Sequence, residues 1–464
     1  MASTTTQKEE QVSLKLVVKK ETDKVLFAEA GKDFIDILFS FLTLPLGTIA
    51  RLVQKDSTTG AVTLGCLNSL YRSVKDLDQH FLTVKPNTDD DIWPKMYFIC
   101  AKASENGTVA CNQFSAFENQ RCSCGNLLNH PVFMTHFCGG FVKGDVSFLI
   151  MDDLTILPAN SIEQTSFGLL QSLGIKSTSS IKEMAVDVTK EKILDLLKCS
   201  LFSNSTLTDL FLRKEPLLEM PRFFPCDNQH DTSTIAIKVK LVIRKSDGKI
   251  LYAHGEKDFA DFLLSLLTFP LGAVVHLLEG NCSVGNLDGL YNGIVNLSAN
   301  YLMPYVKRRI FHPHIAPLLN LRKQIPAPTS EAPRYGCYYQ RSSFKESFLH
   351  DEYYVTEDLV GTGTYVELSL VNPGLYEGCV KDVTTYIATD ELLVTPVSPI
   401  SAISLIDSLG VPMSDLKEMA VTIGVKECLS ILKASLTSKS ALTNGLSNVD
   451  DQIICCEPTR PLKS

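Results

Sequence analysis

The sequence has no excess of basic residues. It carries 44 Lys and Arg against 52 Asp and Glu, which gives a formal net charge of -8 and a sequence pI near 5.7. A chain of that charge has no global positive field to attract phosphate backbones or anionic lipid. We therefore expect a protein partner, whose identity the sequence does not give, rather than nucleic acid.

The sequence also lacks a targeting leader and a long apolar run. Its start, MASTTTQKEEQ, has neither the basic and apolar regions of a secretory signal nor an Arg-rich mitochondrial face. Two uncharged stretches of 14 residues, 37–50 and 262–275, are shorter than the roughly 18 to 20 residues that cross a bilayer. They predict buried core helices, with hairpin insertion into a membrane as the alternative. We expect an intracellular protein of the cytoplasm, with the nucleus as the alternative.

Familiar catalytic motifs are absent as well. The sequence contains no G-x-S-x-G elbow, H-E-x-x-H helix, phosphate-binding loop or dinucleotide fingerprint. Acidic pairs recur at Asp152-Asp153 and Asp390-Glu391, but neighbouring residues on a strand point to opposite faces and cannot jointly flank a scissile bond. A polar turn explains the pairs better, and we predict no catalytic residue.

Cysteine is too sparse for a disulfide scaffold, with 14 in 464 residues, but it is concentrated in the segment 100–138. Zinc binds four thiolates or imidazoles in a tetrahedron, and such a zinc is structural because no position stays open for a substrate. The predicted metal ligands are Cys100, Cys111, Cys122 and Cys124, with Cys138, His130 and His136 as weaker candidates.

Ordinary reduced thiols are the alternative for this segment. The unit Cys122-Ser-Cys124-Gly125 is one residue tighter than a usual zinc knuckle. Cys100 ends the apolar run MYFIC and has a counterpart in Cys337 of YGCYY, which suggests a buried strand position.

The two halves of the chain repeat each other. Aligned without a gap, Lys15 to Val53 and Lys240 to Leu278 share 19 of 39 residues. Two further blocks follow in the same order, VKGDVSFLIMDDLTILP against VKDVTTYIATDELLVTP, and KEMAV in both halves. They predict two copies of one domain, side by side or packed pseudo-symmetrically. The predicted boundaries are 11–214 for the first domain, 215–233 for a linker, 234–447 for the diverged second domain and 448–464 for a flexible tail.

Each copy begins with two β-branched runs around a polar turn, which predicts a β-hairpin; Asp247 and Gly248 are the strongest turn signal. An apolar helix should follow, capped by Asp33, with Asp36 three residues later in a capping-box pattern. Proline should divide this apolar run into two helices at an angle, at the positions Pro45 with Gly47 and Pro270 with Gly272.

Later segments complete the predicted fold class. Strands are predicted around residues 146–150 and 384–387, and helices near 161–173 and 190–201. We therefore predict an α+β protein, a tandem duplication of a domain that begins with a β-hairpin and a proline-split apolar helix.

A basic island in the second copy, VKRRIFHPHIAPLLNLRKQIPAP, contrasts with the acidic chain. A nucleic-acid surface is one interpretation, but such islands are usually solvated loops, and the first copy carries Asp89, Asp90 and Asp91 instead. We interpret the island as a solvated loop. Its basic residues are Lys307, Arg308, Arg309, Arg322 and Lys323.

The strings KVLFAEAGKDFIDILFSFLTLPLGTIARL, LGCLNSLYRSV, CSCGNLL and MDDLTILP resemble the plant family catalogued as domain of unknown function 674. The resemblance covers nearly the whole chain, since members carry the domain singly or in tandem. It implies a plant protein and supplies no catalytic residue, substrate or cofactor. The second copy has no CSCG segment, so a metal role that needs both copies is not implied.

These patterns together predict a non-enzymatic module for macromolecular interaction, with a structural zinc site in the first copy. The alternative is an enzyme or small-ligand binder of an unrecognised kind. Its pocket would lie between the copies or at the Asp152 and Asp390 turns. The oligomeric state is not predicted.

Overall fold

The computed structural model describes the greater part of the chain. The described residues are 12–55, 63–83, 96–100, 113–115, 118–133, 140–144, 146–159, 166–213, 218–219, 221–224, 236–303, 306–311, 335–339, 348–351, 364–371 and 378–447. The tail 448–464 and several predicted residues lie outside these ranges, namely Cys111, Cys138, His136, Arg322, Lys323 and Asp89 to Asp91.

Helices and strands alternate in groups along the described residues. The α-helices are α1 (Lys32–Leu42), α2 (Leu46–Lys55), α3 (Leu67–Asp76), α4 (Ser166–Ser172), α5 (Lys190–Phe202), α6 (Thr206–Phe211), α7 (Lys257–Ser265), α8 (Leu271–Leu277), α9 (Leu287–Asn296), α10 (Val306–Phe311), α11 (Pro399–Ser408), α12 (Val425–Thr437) and α13 (Ala441–Gly445). The strands are β1 (Val12–Lys19), β2 (Lys24–Ala30), β3 (Met96–Cys100), β4 (Gln113–Ser115), β5 (Gln120–Arg121), β6 (Leu127–Phe133), β7 (Phe148–Met151), β8 (Ile156–Pro158), β9 (Ile181–Val188), β10 (Ile237–Arg244), β11 (Ile250–Gly255), β12 (Tyr335–Tyr339), β13 (Phe348–Asp351), β14 (Thr364–Leu370), β15 (Tyr386–Thr389), β16 (Val394–Pro396) and β17 (Leu416–Ile423).

Alternation of apolar and polar residues builds the two hairpins. In β1, the side chains of Leu14, Leu16 and Val18 are buried and those between them are not. β1 pairs antiparallel with β2, and β10 pairs antiparallel with β11. Gly248 in the second turn has φ of +71°, a conformation that glycine adopts readily. Both predicted hairpins are confirmed.

Each hairpin lies inside a five-stranded antiparallel sheet. The strand order is β8-β7-β2-β1-β9 in the first half and β16-β15-β11-β10-β17 in the second, so the two orders match element by element. The strands predicted from residues 146 and 384 begin at Phe148 and Tyr386. Helices accompany these sheets, and the α+β fold class is confirmed.

A third sheet is built from both halves of the chain. Its order is β13-β12-β14-β4-β3-β6-β5, so strands of the second half extend strands of the first. The join is parallel, with Ser369 of β14 opposite Gln113 of β4 and Leu370 opposite Phe114. The N–H of Val371 donates to the Phe114 carbonyl at 2.7 Å. This sheet therefore requires both halves.

The predicted cap of the first helix is wrong. α1 begins at Lys32 without a side-chain cap, and Asp33 lies in its first turn. Asp36 does not complete a capping box, because its carboxylate is engaged elsewhere. It pairs with Lys32 and accepts the N–H groups of Phe141, at 2.6 Å, and Val142, at 3.2 Å. The carboxylate of Asp36 thus anchors a distant segment to α1.

Proline divides the apolar run into two helices in each half, as predicted. Pro45 lies between α1 and α2, and Pro270 precedes α8. The two prolines face each other in an isolated β-bridge. The N–H after each proline donates to the carbonyl before the other proline, at 2.9 Å in both cases. The proline segments therefore connect the two halves directly.

Each half also places a helix on the other half. At the start of α3, the N–H of Cys66 donates to the Ser435 carbonyl of α12 at 2.8 Å. At the start of α9, the N–H of Asn286 donates to the Ser200 carbonyl of α5 at 2.9 Å. Reciprocal contacts of this kind are the pattern of a two-fold relation.

One contiguous hydrophobic core contains residues of both halves. Phe34 and Phe39 of the first half and Phe259 and Phe262 of the second are fully buried in it. Within the described ranges, no helix is long and apolar enough to cross a membrane. The boundaries predicted for two domains stay a prediction.

Most described cysteines belong to this packed interior. Cys66, Cys199, Cys282, Cys379 and Cys428 are buried and free. Burial raises the pKa of Cys66, Cys199 and Cys428 to about 12, so these thiols are neutral at physiological pH. The cysteines of the segment 100–138 differ from them.

Candidate metal centre

The candidate site lies on a tight turn between β5 and β6. The N–H of Cys122 donates to the Asn126 carbonyl, and the N–H of Gly125 donates to the Cys122 carbonyl, each at 2.9 Å. Gly125 has φ of +85°, which glycine adopts without the steric cost that other residues meet. The sequence CSCGN suits this turn for that reason.

A third cysteine meets the two cysteines of the turn. Cys100 ends β3, pairs with Leu128 of β6 and is buried. Its Sγ lies 3.6 Å from the Sγ of Cys124 and 3.7 Å from the Sγ of Cys122. All three sulfur atoms lie within 4.8 Å of one another. The structure therefore brings together three of the four cysteines predicted as metal ligands.

The three thiols differ in exposure. Cys124 is exposed, whereas Cys100 and Cys122 are buried. A hydrogen bond from Cys122, followed by hydrogen bonds from the backbone and side chain of Asn126, lowers the pKa of Cys124 to about 6. The Asn126 Nδ2 lies 3.2 Å from the Cys124 Sγ. Cys124 is therefore a thiolate at neutral pH, which is the form that binds metal ions.

The sulfur spacing fits a metal ion. Around a metal with bonds to sulfur of about 2.3 Å, two sulfurs of a tetrahedron lie about 3.8 Å apart. The distances of 3.6 and 3.7 Å between the Cys100 sulfur and its neighbours are close to that value. The cluster can hold a metal ion through three sulfurs, and one more ligand would complete a tetrahedron.

Three contacts of the cluster were missed from the sequence. Gln113 accepts the N–H of Ser123 at 2.6 Å through its Oε1, and Asn126 closes the turn. Val371 of the second half packs against the apolar side of the cluster. Asn126 follows CSCG directly and was open to inference, whereas Val371 reaches the site only through the pairing of β14 with β4.

The remaining predicted ligands do not join this cluster in the described structure. His130 lies on β6 opposite Ile99 and is not part of the three-cysteine group found among the described residues. Cys337 lies on β12, and its side chain is outside the described part. The predictions for Cys111, Cys138 and His136 fall outside the described residues.

A family model described as "Protein of unknown function (DUF674)" matches residues 8–425, and a second segment matches 380–460. The first match alone spans most of the 464 residues. The chain belongs to the DUF674 family. No curated protein and no solved structure matches it.

The first acid of each acidic pair of this DUF674 chain stabilises a helix start. Both pairs lie in turns between strands, as predicted; Asp153 and Glu391 are exposed there, whereas Asp152 and Asp390 are buried. Asp152 accepts the N–H of Thr208 at 2.9 Å and its hydroxyl at 2.8 Å, in the first turn of α6. Asp390 accepts the N–H of Thr443 at 2.8 Å, in the first turn of α13. Helix capping explains the recurrence of these acids.

The burial of these carboxyls predicts a pH dependence of stability. Burial raises the pKa of Asp152 and of Asp390 above the ordinary value, although their hydrogen bonds act in the opposite direction. A raised pKa in the folded state stabilises the fold below the unfolded value of about 3.9, and this contribution is lost as pH rises through the folded pKa. Relative to Asp152→Asn, the wild type should therefore lose stability between pH 4 and pH 7.

Urea unfolding of both proteins at several pH values in this range measures the difference. Asp153→Asn, next to it in sequence and exposed, is the matched control and should show no such trend. If the wild type instead becomes more stable relative to Asp152→Asn as pH rises, the hydrogen bonds to the carboxylate have a larger effect on the pKa of Asp152 than burial does.

The described part of the basic island is a short helix, not the predicted loop. Lys307 donates to the Val295 carbonyl at 2.6 Å, and the Arg309 guanidinium lies 4.9 Å from the centre of the Phe141 ring. A cation over an aromatic ring at an exposed site contributes about 0.5 to 1 kcal/mol. At least two cations of this DUF674 helix therefore contact other parts of the same chain.

Proposed function

We propose that this protein is a non-enzymatic module for protein interaction whose first half holds a structural zinc ion. The convergence of the Cys100, Cys122 and Cys124 sulfurs carries the zinc part of the proposal. Thiolates are the common ligands of structural zinc, and the sulfur spacing suits its bond length. Cys111 is the proposed fourth ligand. Four sulfurs leave no position for a substrate, so the role is structural.

The zinc ion would strengthen the sheet that both halves share. Cys100 belongs to β3, and the turn of Cys122 and Cys124 follows β5. Val371, which continues from β14, covers the same cluster. An ion bound by these sulfurs would link β3 to the turn after β5, and both belong to the sheet that β14 of the second half joins.

Elemental analysis of protein purified without a tag should find about one zinc per chain. The double variant Cys122→Ser, Cys124→Ser removes two ligands and should retain less than about a tenth of this zinc. Its thermal midpoint should fall by several degrees, because binding energy at such a site is also folding energy. Ser123→Ala changes the residue between the two cysteines and should keep the metal. A well-folded wild type without zinc contradicts the proposal.

An exposed apolar patch on α11 supports the interaction part of the proposal. We define this patch by Ile400 and Ile403, which are 77% and 68% exposed. The opposite side of α11 is also apolar, since Leu405 and Ile406 pack on the second five-stranded sheet. A helix that is apolar on both sides is usually covered. α11 contains no Lys or Arg, which favours a protein partner over an anionic membrane.

Ile403→Asp should weaken capture of this partner by about tenfold or more, because a charge in an apolar contact must lose its hydration. Quantitative affinity purification with the full-length chain measures the effect. Ser404→Asp adds the same charge at the next exposed position of α11 and should leave capture unchanged. Equal capture by wild type and Ile403→Asp would exclude the patch as the contact surface.

We also infer that the two halves are copies of one plant domain and that the protein resides in a reducing, intracellular compartment. The matching strand orders of the two five-stranded sheets support the first inference. The eight cysteines with described side chains form no disulfide bond, as expected in a reducing compartment.

A further inference from the structure

We propose that Cys124 is a site of oxidation by hydrogen peroxide and that the product is a disulfide bond with Cys100. Of the eight cysteines whose side chains are described, seven are buried and Cys124 is exposed. Among these eight cysteines, a dissolved oxidant therefore reaches the sulfur of Cys124 first. The disulfide depends on the geometry of the thiols alone, whereas the accompanying loss of metal rests on the proposed zinc site.

A second thiol lies within reach of the oxidised sulfur. The Sγ atoms of Cys100 and Cys124 are 3.6 Å apart. A disulfide bond is about 2.05 Å long, so the two sulfurs must approach by about 1.5 Å. Cys100 is buried and packs in the same apolar cluster as Val371. It is therefore shielded from direct attack but is placed to react with a neighbour.

Cys122 is the poorer partner although its sulfur is also close. Cys122 and Cys124 are two residues apart on one turn, which two backbone hydrogen bonds of 2.9 Å hold in place. A bond between them would have to distort this turn. A bond from Cys124 to Cys100 joins two separate segments and leaves the turn bonds intact.

The reaction balances in two steps. The Cys124 thiolate attacks one peroxide oxygen, the O–O bond breaks, and a sulfenic acid and a hydroxide ion form. The Cys100 sulfur then attacks the Cys124 sulfur, the S–S bond forms, and the sulfenic hydroxyl leaves with the Cys100 proton as water. The two cysteines lose two electrons and the peroxide gains two. Because the thiolate is the metal ligand, a zinc ion bound to these sulfurs would be released.

The test uses full-length, zinc-loaded protein treated with hydrogen peroxide while a coloured chelator reports free zinc. We expect one zinc released per disulfide formed, and dithiothreitol should restore zinc binding. Trypsin cuts after Lys95, Lys102 and Arg121, so Cys100 and Cys124 fall on different peptides. Cys122 and Cys124 share the peptide 122–143 with Cys138, so mass spectrometry must fragment the linked peptides between these cysteines to assign the bond.

Two variants assign the attacking sulfur. Cys122→Ser keeps both reacting sulfurs and should form the same bond between Cys100 and Cys124. Cys124→Ser should slow disulfide formation at Cys100 by about tenfold or more. A bond from Cys100 to Cys122 at the wild-type rate in Cys124→Ser overturns the proposal, as does wild type that keeps both thiols reduced under excess peroxide.

The same measurements separate the two proposals. Protein that forms the disulfide but never contained zinc rejects the zinc site and supports the oxidation site. Protein that contains zinc but resists peroxide supports the zinc site and rejects the oxidation site.

Discussion

Gly285→Ala is expected to lower the free energy of unfolding by about 2 to 6 kcal/mol. Gly285 has φ of +46°, where a residue with a β-carbon is strained by about 1 to 3 kcal/mol. A β-carbon there would also lie 2.3 Å from the Ser200 carbonyl oxygen, and overpacking costs about 1 to 3 kcal/mol more. Both effects act where α9 of the second half joins α5 of the first.

Two other glycines separate these effects. Gly248 has φ of +71° with nothing within 4 Å of a β-carbon, so Gly248→Ala should show the backbone cost alone. Gly289 lies within α9, and its β-carbon would lie 2.1 Å from the Asp153 carbonyl oxygen. Gly289→Ala should therefore show the contact cost, less the roughly 1 kcal/mol by which Ala favours a helix over Gly. Urea unfolding of the three variants measures each cost.

The order of the three losses tests the packing of the two halves. Gly285→Ala should be the most destabilising, since it combines both costs. A loss at Gly285 no larger than at Gly248 would mean that α9 and α5 can separate without penalty. In that case, the shared core would not hold the halves in one cooperative unit.

Local patterns predicted the parts of the fold that local forces determine. The alternation around Leu14, Leu16 and Val18 predicted β1, because one face of a strand must be buried. Pro45 and Pro270 predicted the helix breaks, because proline has no N–H to donate. These signals lie within a few residues of their effects.

Contacts distant in sequence left no comparable signal. The parallel join of β14 to β4 brings Leu370 beside Phe114, and nothing in either short strand specifies the other. The exchange of α3 and α9 between the halves depends on close backbone approaches at Gly65 and Gly285. The sequence repeats predicted two copies of one domain, but they left open how the two halves of the chain pack.

The cysteines of the candidate metal centre could be predicted from the sequence, but their convergence and their neighbours could not. The pair Cys122 and Cys124 was apparent from its spacing, and Cys100 from its place at the end of an apolar run. That their sulfurs meet depends on the pairing of β3 and β5 with β6. Cover by Val371 depends on the second half of the chain.

Asp261→Ala is expected to destabilise the protein by about 3 to 5 kcal/mol. The Asp261 carboxylate is fully buried, pairs with Lys257, and accepts the N–H groups of Cys379 at 2.6 Å and Val380 at 2.8 Å. Alanine would deprive a partly buried ammonium and two buried N–H groups of this acceptor, and each such loss is costly. Chemical unfolding measures the change.

Two carboxylates provide the controls for Asp261. Asp258→Ala, in the exposed first turn of the same helix, should cost about 0.3 to 1 kcal/mol through the helix dipole. Asp36→Ala removes the matching anchor of the first half, where the side chain is 21% exposed rather than fully buried, so water can replace part of the lost bonding. Its cost should lie between the other two.

A second substitution identifies which loss dominates at Asp261. Asp36 is the first-half counterpart of Asp261. Its local D-x-x-D pattern suggested a helix cap, yet the N–H groups that it binds lie 105 and 106 residues away. If the isolated ammonium causes most of the damage, Lys257→Met should recover stability in the Asp261→Ala background. If it recovers none, the two N–H groups of Cys379 and Val380 dominate, and the carboxylate acts as a backbone anchor rather than as half of an ion pair.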